Sequence, residues 1–287
     1  MTSHSGILHE YTFKKVAFQF DLNPNPTKIL VFIGGLTDGL LTVPYVPKLA
    51  QRLKDELTWT TFQIQFTSSF NNWGISNLTN DINDIEKLIK YLREKYSPSK
   101  IVIMGHSTGS QDVIHYLLNK QTKTPVDAGI MQASVSDRSS FNINATEKGR
   151  ELNEIAIKLC EEGRQDELLS YEHMKMSWNT PITAFRWNSL MNKGGQDDYF
   201  SDDLTMEELK FSEIQVPFLM VFSGSDEFIP KSVDKNKLLA KWKENSNKEF
   251  WSKHSGLIPG ASHNVKEINL QDSLCSMVIN FIKEFNL

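Results

Sequence analysis

The 287-residue chain is predicted to fold as an α/β domain: a mostly parallel central sheet flanked by helices, with a helical insertion. Three observations lead there. Continuous apolar runs of strand length at 29–33, 101–104 and 217–222 alternate with segments whose apolar residues recur at helical spacing, which is the pattern of βα units joined by right-handed crossovers. The run at 101–104 passes directly into Gly105-His106-Ser107-Thr108-Gly109 and then into a helical pattern. Between 137 and 214 the rhythm breaks, and afterwards it resumes. The expected division is therefore a core of 1–136 and 215–287, with 137–214 inserted as a helical cap over the strand ends.

Composition sets outer limits. Hydrophobic residues make up 39% and charged residues 23% of the chain, enough to bury a full core. A net charge of -4 supplies no basic field, so neither nucleic acid nor an anionic membrane is an expected partner. No apolar stretch approaches the ~18 residues that span a bilayer, and residues 1–15 lack the apolar centre of a secretory signal. Cys160 and Cys275 sit in helical patterns and read as buried free thiols. These readings point to the cytoplasm, where the sequons at Asn77 and Asn144 carry no glycan. The oligomeric state is not legible.

Taken in order, residues 11–20 read as an antiparallel edge strand stopped by Asn23-Pro24-Asn25-Pro26. A central strand at 29–33 ends at Gly34-Gly35, and a tight loop leads to a helix over 48–57. A strand at 60–66, a polar loop containing Trp73 and a long amphipathic helix over 78–96 follow, the helix carrying Ile82, Ile85, Leu88, Ile89 and Leu92 on one face. The elbow strand and its helix come next, then a strand at 128–135. The insertion reads as helices near 146–161 and 166–176, an aromatic stretch, and a short helix opening at Thr205 with Glu208 as capping-box partner. The core resumes with a strand at 217–222, a helix at 232–242, a last strand within 250–258 and a closing helix at 272–285.

The chemistry starts at the elbow. A strand, sharp turn and helix carrying G-x-S-x-G place the serine at a strained position with its hydroxyl exposed, which makes Ser107 the candidate nucleophile. A serine hydroxyl is protonated at neutral pH and needs a base, most simply an imidazole. Of seven histidines, His263 lies in a turn between the last strand segment and the closing helix, where its ring can reach the carboxyl edge of the sheet. It is preferred to His254. His106 alternates away from Ser107 and reads as packing beside the elbow. Asp226, just past the strand at 217–222, is the carboxylate expected to orient the imidazole, while its neighbour Glu227 reads as a surface charge. Ser107, Asp226 and His263 follow the chain order of a triad mounted on such a sheet. The oxyanion donors expected are the amides of Thr108, at the start of the elbow helix, and Leu36, with Gly35 as alternative.

Taken together, GHSTG, the Gly34-Gly35 loop, GSDEFIP and GASH resemble an α/β-hydrolase. More narrowly, GHSTGSQD, FRWNSL with GGQDDYFSDDL, and SGSDEFIP resemble the DUF1749 (UPF0613) group of fungal and protist proteins, over residues 29–263. That group includes intracellular fungal esterases that open hydroxamate siderophores of the fusarinine type, so the resemblance implies a serine esterase acting on a small-molecule ester. The chain has no H-E-x-x-H, no cysteine ligand pair, no G-x-x-x-x-G-K-[ST] and no G-x-G-x-x-G, so neither a metal nor an organic cofactor is expected. A non-catalytic binding protein on the same fold and an acyltransferase using the same triad are the alternative functions.

Within the insertion, Arg186, Trp187 and Asp198 are the candidate substrate contacts. The acidic run at 197–203 reads as a lid element drawing in a cationic ligand, or as a solvated loop, and the aromatics as substrate wall or cap core. Asp112 on the elbow helix is expected to brace loops through hydrogen bonds.

Overall fold

A computed structural model describes residues 3–119 and 124–287. Among them one sheet of eight strands runs in the order β1-β2-β4-β3-β5-β6-β7-β8. The strands are β1 Ile7–Thr12, β2 Lys15–Gln19, β3 Lys28–Ile33, β4 Thr60–Ile64, β5 Lys100–His106, β6 Ala128–Gln132, β7 Phe218–Ser223 and β8 Gly256–Ile258. The β1–β2 and β2–β4 pairs are antiparallel and every other pair is parallel. The helices are α1 Val46–Leu57, α2 Leu78–Tyr96, α3 Gly109–Leu118, α4 Asp137–Phe141, α5 Glu147–Glu161, α6 Tyr171–Met176, α7 Ala184–Met191, α8 Lys235–Asn245 and α9 Ile268–Glu284.

The continuous apolar runs are explained by burial on both faces. Ile29, Val31, Ile33, Ile101 and Ile103 pack against α2 and α3 through Ile85, Leu88 and Val113. The alternate residues Leu30, Phe32, Val102 and Met104 meet α1 and α9 through Leu49, Leu53, Leu274 and Val278. Helix α2 starts where Asn77 Oδ1 accepts the Asn80 amide at 2.9 Å and ends at Ser97, which holds φ 49° ahead of Pro98.

Several boundaries move. Residues 11–20 are not one strand: the chain reverses at Lys14, φ 62°, and forms the β1–β2 hairpin. That turn carries no Gly, Pro or Asn, so no turn signal marks it. β6 stops at Gln132 because Ala133 takes φ 51°. Only Tyr171–Met176 of the expected 166–176 helix forms. At Thr205 and Glu208 the capping-box bonds are made, Thr205 N–H donating to Glu208 Oε2 at 2.7 Å and Glu208 N–H to Thr205 Oγ1 at 3.4 Å, yet they close turns rather than a helix. The last strand is short because Trp251 contributes only an isolated bridge to Phe218.

The 137–214 segment has its own apolar cluster, in which Leu152, Ala156, Trp187 and Leu190 pack with Trp73 of the preceding loop. Cys160 is partly buried, Cys275 is buried, and both are free. Among the described residues no helix is long and apolar enough to cross a membrane.

Candidate active site

The elbow forms where β5 ends. Ser107 holds φ 55°, its N–H donates to Gln132 O at 2.9 Å, and its carbonyl accepts the Ser110 amide at 2.8 Å. The flanking glycines are required by close approach: a Cβ on Gly105 would lie 2.0 Å from Gly109 O, and one on Gly109 would lie 2.6 Å from Ile33 O. The serine opens into a cavity of about 420 Å³ whose lining includes Leu36, His106, Trp178, Phe228 and His263. Three of its non-glycine residues, Thr37, Ser107 and Trp178, hold φ of 68°, 55° and 53°, a concentration of backbone strain typical of functional sites.

His263 is 7% and Asp226 4% exposed. The His263 ring donates from Nδ1 to Asp226 Oδ2 at 2.8 Å, and Asp226 Oδ1 accepts the Phe228 amide at 3.0 Å, which pins the carboxylate. An Nδ1–H engaged in this way leaves Nε2 as the basic nitrogen. Glu227 differs from its surface-charge reading. Although exposed, it lines the cavity, and its Oε2 accepts the His263 amide at 2.8 Å. His254 does not line the cavity.

The loop after β3 lies against the elbow. A Cβ on Gly35 would sit 2.6 Å from Ser107 Cβ. The Gly35 amide is already used, donating to Asp38 Oδ2 at 2.8 Å. The amides of Leu36 and Thr108 have no partner among the described residues, and Thr108 precedes the positive end of α3.

His106 is not mere packing. It lines the cavity, with its ring centroid 4.9 Å from that of His263 and its Nδ1 2.6 Å from Gln132 Oε1. Burial, helped by the neighbouring imidazole, pushes its pKa down to about 4 and keeps it neutral. Residue types alone carried no signal for this, because strand alternation ends where the elbow turns.

The three substrate contacts expected in the insertion are corrected: Arg186, Trp187 and Asp198 do not line the cavity. Arg186 is 2% exposed and donates to Asp197 Oδ2 at 2.6 Å and to Trp73 O at 2.9 Å. Trp187 is fully buried, with Nε1 donating to Asn153 Oδ1 at 2.9 Å. Asp198 accepts from Ser201 Oγ, from Gly194 N at 3.0 Å and from Arg138 Nε at 3.4 Å. An insertion that must cover its own aromatic cluster turns these groups inward, and a guanidinium removed from water requires a carboxylate. Asp137, Ser140 and Trp178 reach the cavity instead.

Asp112 of α3 belongs to a group of buried acids that also includes Asp81 and Asp137. Gln111 Nε2 donates to Asp137 Oδ2 at 2.6 Å and to Val135 O at 3.2 Å. Asp112 does not brace loops through hydrogen bonds as expected, since its Oδ1 is buried without a partner. Burial, with the nearby charges of Asp81 and Asp197, holds Asp112 well above the usual carboxylate range; burial raises Asp137 likewise and brings Asp81 up to about 7. Among the described residues no group of three or more His, Cys, Asp or Glu side chains is arranged to hold a metal ion.

Comparison with known proteins gives consistent results. Residues 1–283 match DUF1749, a protein family of unknown function. The chain is 38% identical over 292 residues to a UPF0613 protein of Schizosaccharomyces pombe, covering 92% of this chain and 91% of that one. It is 35% identical over 315 residues to the fusarinine C esterase sidJ of Aspergillus fumigatus, covering 90% and 89%. Among solved structures it resembles the siderophore hydrolase EstB from Aspergillus fumigatus, with a TM-score of 0.83, 31% identity and coverage of 99% and 98%.

Proposed function

The chain belongs to the DUF1749 family and has the α/β-hydrolase fold, and on that premise we propose that it is a serine hydrolase cleaving carboxylic esters through an acyl-enzyme. The observation that carries the reading is the buried 2.8 Å His263–Asp226 bond, made by a base that shares one cavity with a serine on a strained elbow.

In this mechanism Ser107 Oγ attacks the ester carbonyl while His263 Nε2 takes its proton. Asp226 holds the imidazole in the required tautomer and stabilises the imidazolium. The unpartnered Leu36 and Thr108 amides receive the oxyanion, each worth about 3 kcal/mol in the transition state. His263 then protonates the leaving alcohol. Water, activated by the same base, releases the acid and restores Ser107. Every step uses protein groups and water.

Residues 137–214 act as a cap, contributing Asp137, Ser140 and Trp178 to the cavity wall. The relatives named for fusarinine C and siderophore hydrolysis make hydroxamate siderophore esters of the fusarinine type the first substrates to test. A fluorophosphonate probe should label Ser107, located by mass spectrometry, and labelling should require His263. Ser107→Ala should lower ester turnover by about 10³-fold or more with an unchanged circular-dichroism spectrum. Equal turnover in that variant would sink the proposal.

A further inference from the structure

We propose that Gln132 is a positioning residue that holds the candidate nucleophile, base and acid in register for the reaction proposed above. It is fully buried at the carboxyl end of β6, paired in parallel register with His106. Its main-chain carbonyl accepts the Ser107 amide at 2.9 Å and Ser110 Oγ at 3.1 Å. The side chain uses its whole hydrogen-bonding capacity. Oε1 accepts from Tyr45 Oη at 2.9 Å and from His106 Nδ1 at 2.6 Å, while Nε2 donates to Ser223 Oγ at 3.2 Å and to His263 O at 3.2 Å.

Each of the four partners belongs to a segment that carries part of the site. Tyr45 precedes α1 at the end of the loop that follows β3 and carries Leu36. His106 precedes Ser107, Ser223 closes β7 three residues before Asp226, and His263 is the base itself. A single amide therefore ties four segments far apart in sequence. Its orientation follows from the partners: the His263 carbonyl can only accept, so Nε2 faces it and Oε1 faces His106. It follows that His106 carries its proton on Nδ1. The ring beside His263 is then held as one neutral tautomer when the base becomes an imidazolium.

The preceding residues of β6, Ile130 and Met131, are fully buried and apolar, so the amide is confined to the end of the strand, where the site segments meet. Removing it leaves four buried polar partners without their bonds, which costs stability as well, and the test therefore reads kcat per functional site.

The test uses the full chain as wild type, Gln132→Met and Gln132→Glu. Functional sites are counted by fluorophosphonate titration of Ser107, and p-nitrophenyl butyrate is the substrate. Methionine keeps the side-chain length and removes all four bonds, whereas glutamate keeps the two accepted ones. The expected result is a kcat per titrated site at least tenfold lower in Gln132→Met with KM within twofold, and at least threefold recovery of kcat in Gln132→Glu. Nitrogen NMR of the wild type should show the Nδ1–H tautomer of His106.

A Gln132→Met kcat per titrated site within twofold of wild type, or an Nε2–H tautomer at His106, overturns the assignment. Should Gln132→Met fail to fold, the Tyr45→Phe/Ser223→Ala double variant removes two partners from outside. An unchanged kcat in that variant overturns the proposal, and a drop of at least threefold supports it. A wild type that takes no label overturns the hydrolase reading and the positioning role with it, whereas a labelled wild type with a normal Gln132→Met overturns the positioning role alone.

Discussion

Asp226 shows how much one side chain decides. With Oδ1 bound to the Phe228 amide and Oδ2 to His263 Nδ1, it selects the imidazole tautomer whose Nε2 is basic. Asp226→Asn turns an acceptor into a donor and selects the wrong tautomer, so kcat should fall about 10⁴-fold with KM little changed, as read by steady-state ester hydrolysis at pH 7. Ser107, Asp226 and His263, the proposed triad, could be picked out of the chain because each follows a strand or turn whose end is marked by glycine or proline. Arg186, Trp187 and Asp198 were misread for a reason equally physical. A residue's type says what it can bind, but the direction it faces depends on packing within its own layer, and here all three face inward.

In the proposed mechanism, oxyanion stabilisation depends on the loop after β3. Gly35 lies so near Ser107 that a Cβ would stand 2.6 Å from the serine Cβ. Gly35→Ala should therefore displace the Leu36 amide and lower kcat per folded molecule about 10²-fold, with a loss of about 1–3 kcal/mol of stability from the overpacking; kinetics and urea denaturation measured on one preparation check both halves. Helix α2 supplies the contrast. Its Asn77 cap does not line the cavity, so Asn77→Ala should cost about 1 kcal/mol of stability and leave kcat per folded molecule unchanged. Elements with strong periodicity and marked ends were legible: α2 spans Leu78–Tyr96 as its apolar face and its Ser97-Pro98 stop indicate. The β1–β2 hairpin was hidden because Lys14 adopts a left-handed turn without a turn residue.

Across the whole molecule, the buried acids Asp81, Asp112 and Asp137 are expected to couple folding to pH. A carboxyl whose pKa is raised on folding binds its proton more tightly in the native state. Its contribution to stability is complete below the unfolded value near 4 and is lost as pH rises toward the native value, about 7 for Asp81. These acids should therefore contribute a loss of stability between about pH 4 and pH 7, by as much as ~1.4 kcal/mol per pH unit for each proton released on unfolding, against the opposite slope of the histidines whose pKa burial lowers, His106 among them. Asp112, orphaned at Oδ1, is the place to test it. Asp112→Asn removes the titration and should raise the urea midpoint more at pH 8 than at pH 5; an equal effect at both values would exclude Asp112 as a source of the slope.

The fold class, the elbow and the chain order of Ser107, Asp226 and His263 were already present in the one-dimensional pattern, because buried parallel strands require continuous apolar runs and sharp turns require glycine. Folding added the relations between segments distant in sequence. Gln132 lies between His106 and His263, Glu227 carries the His263 amide, and Arg186 is sealed against Asp197. Such contacts depend on sheet order and on the faces that layers turn toward each other, and neither periodicity nor spacing encodes which of two polar groups meets the other once water is removed.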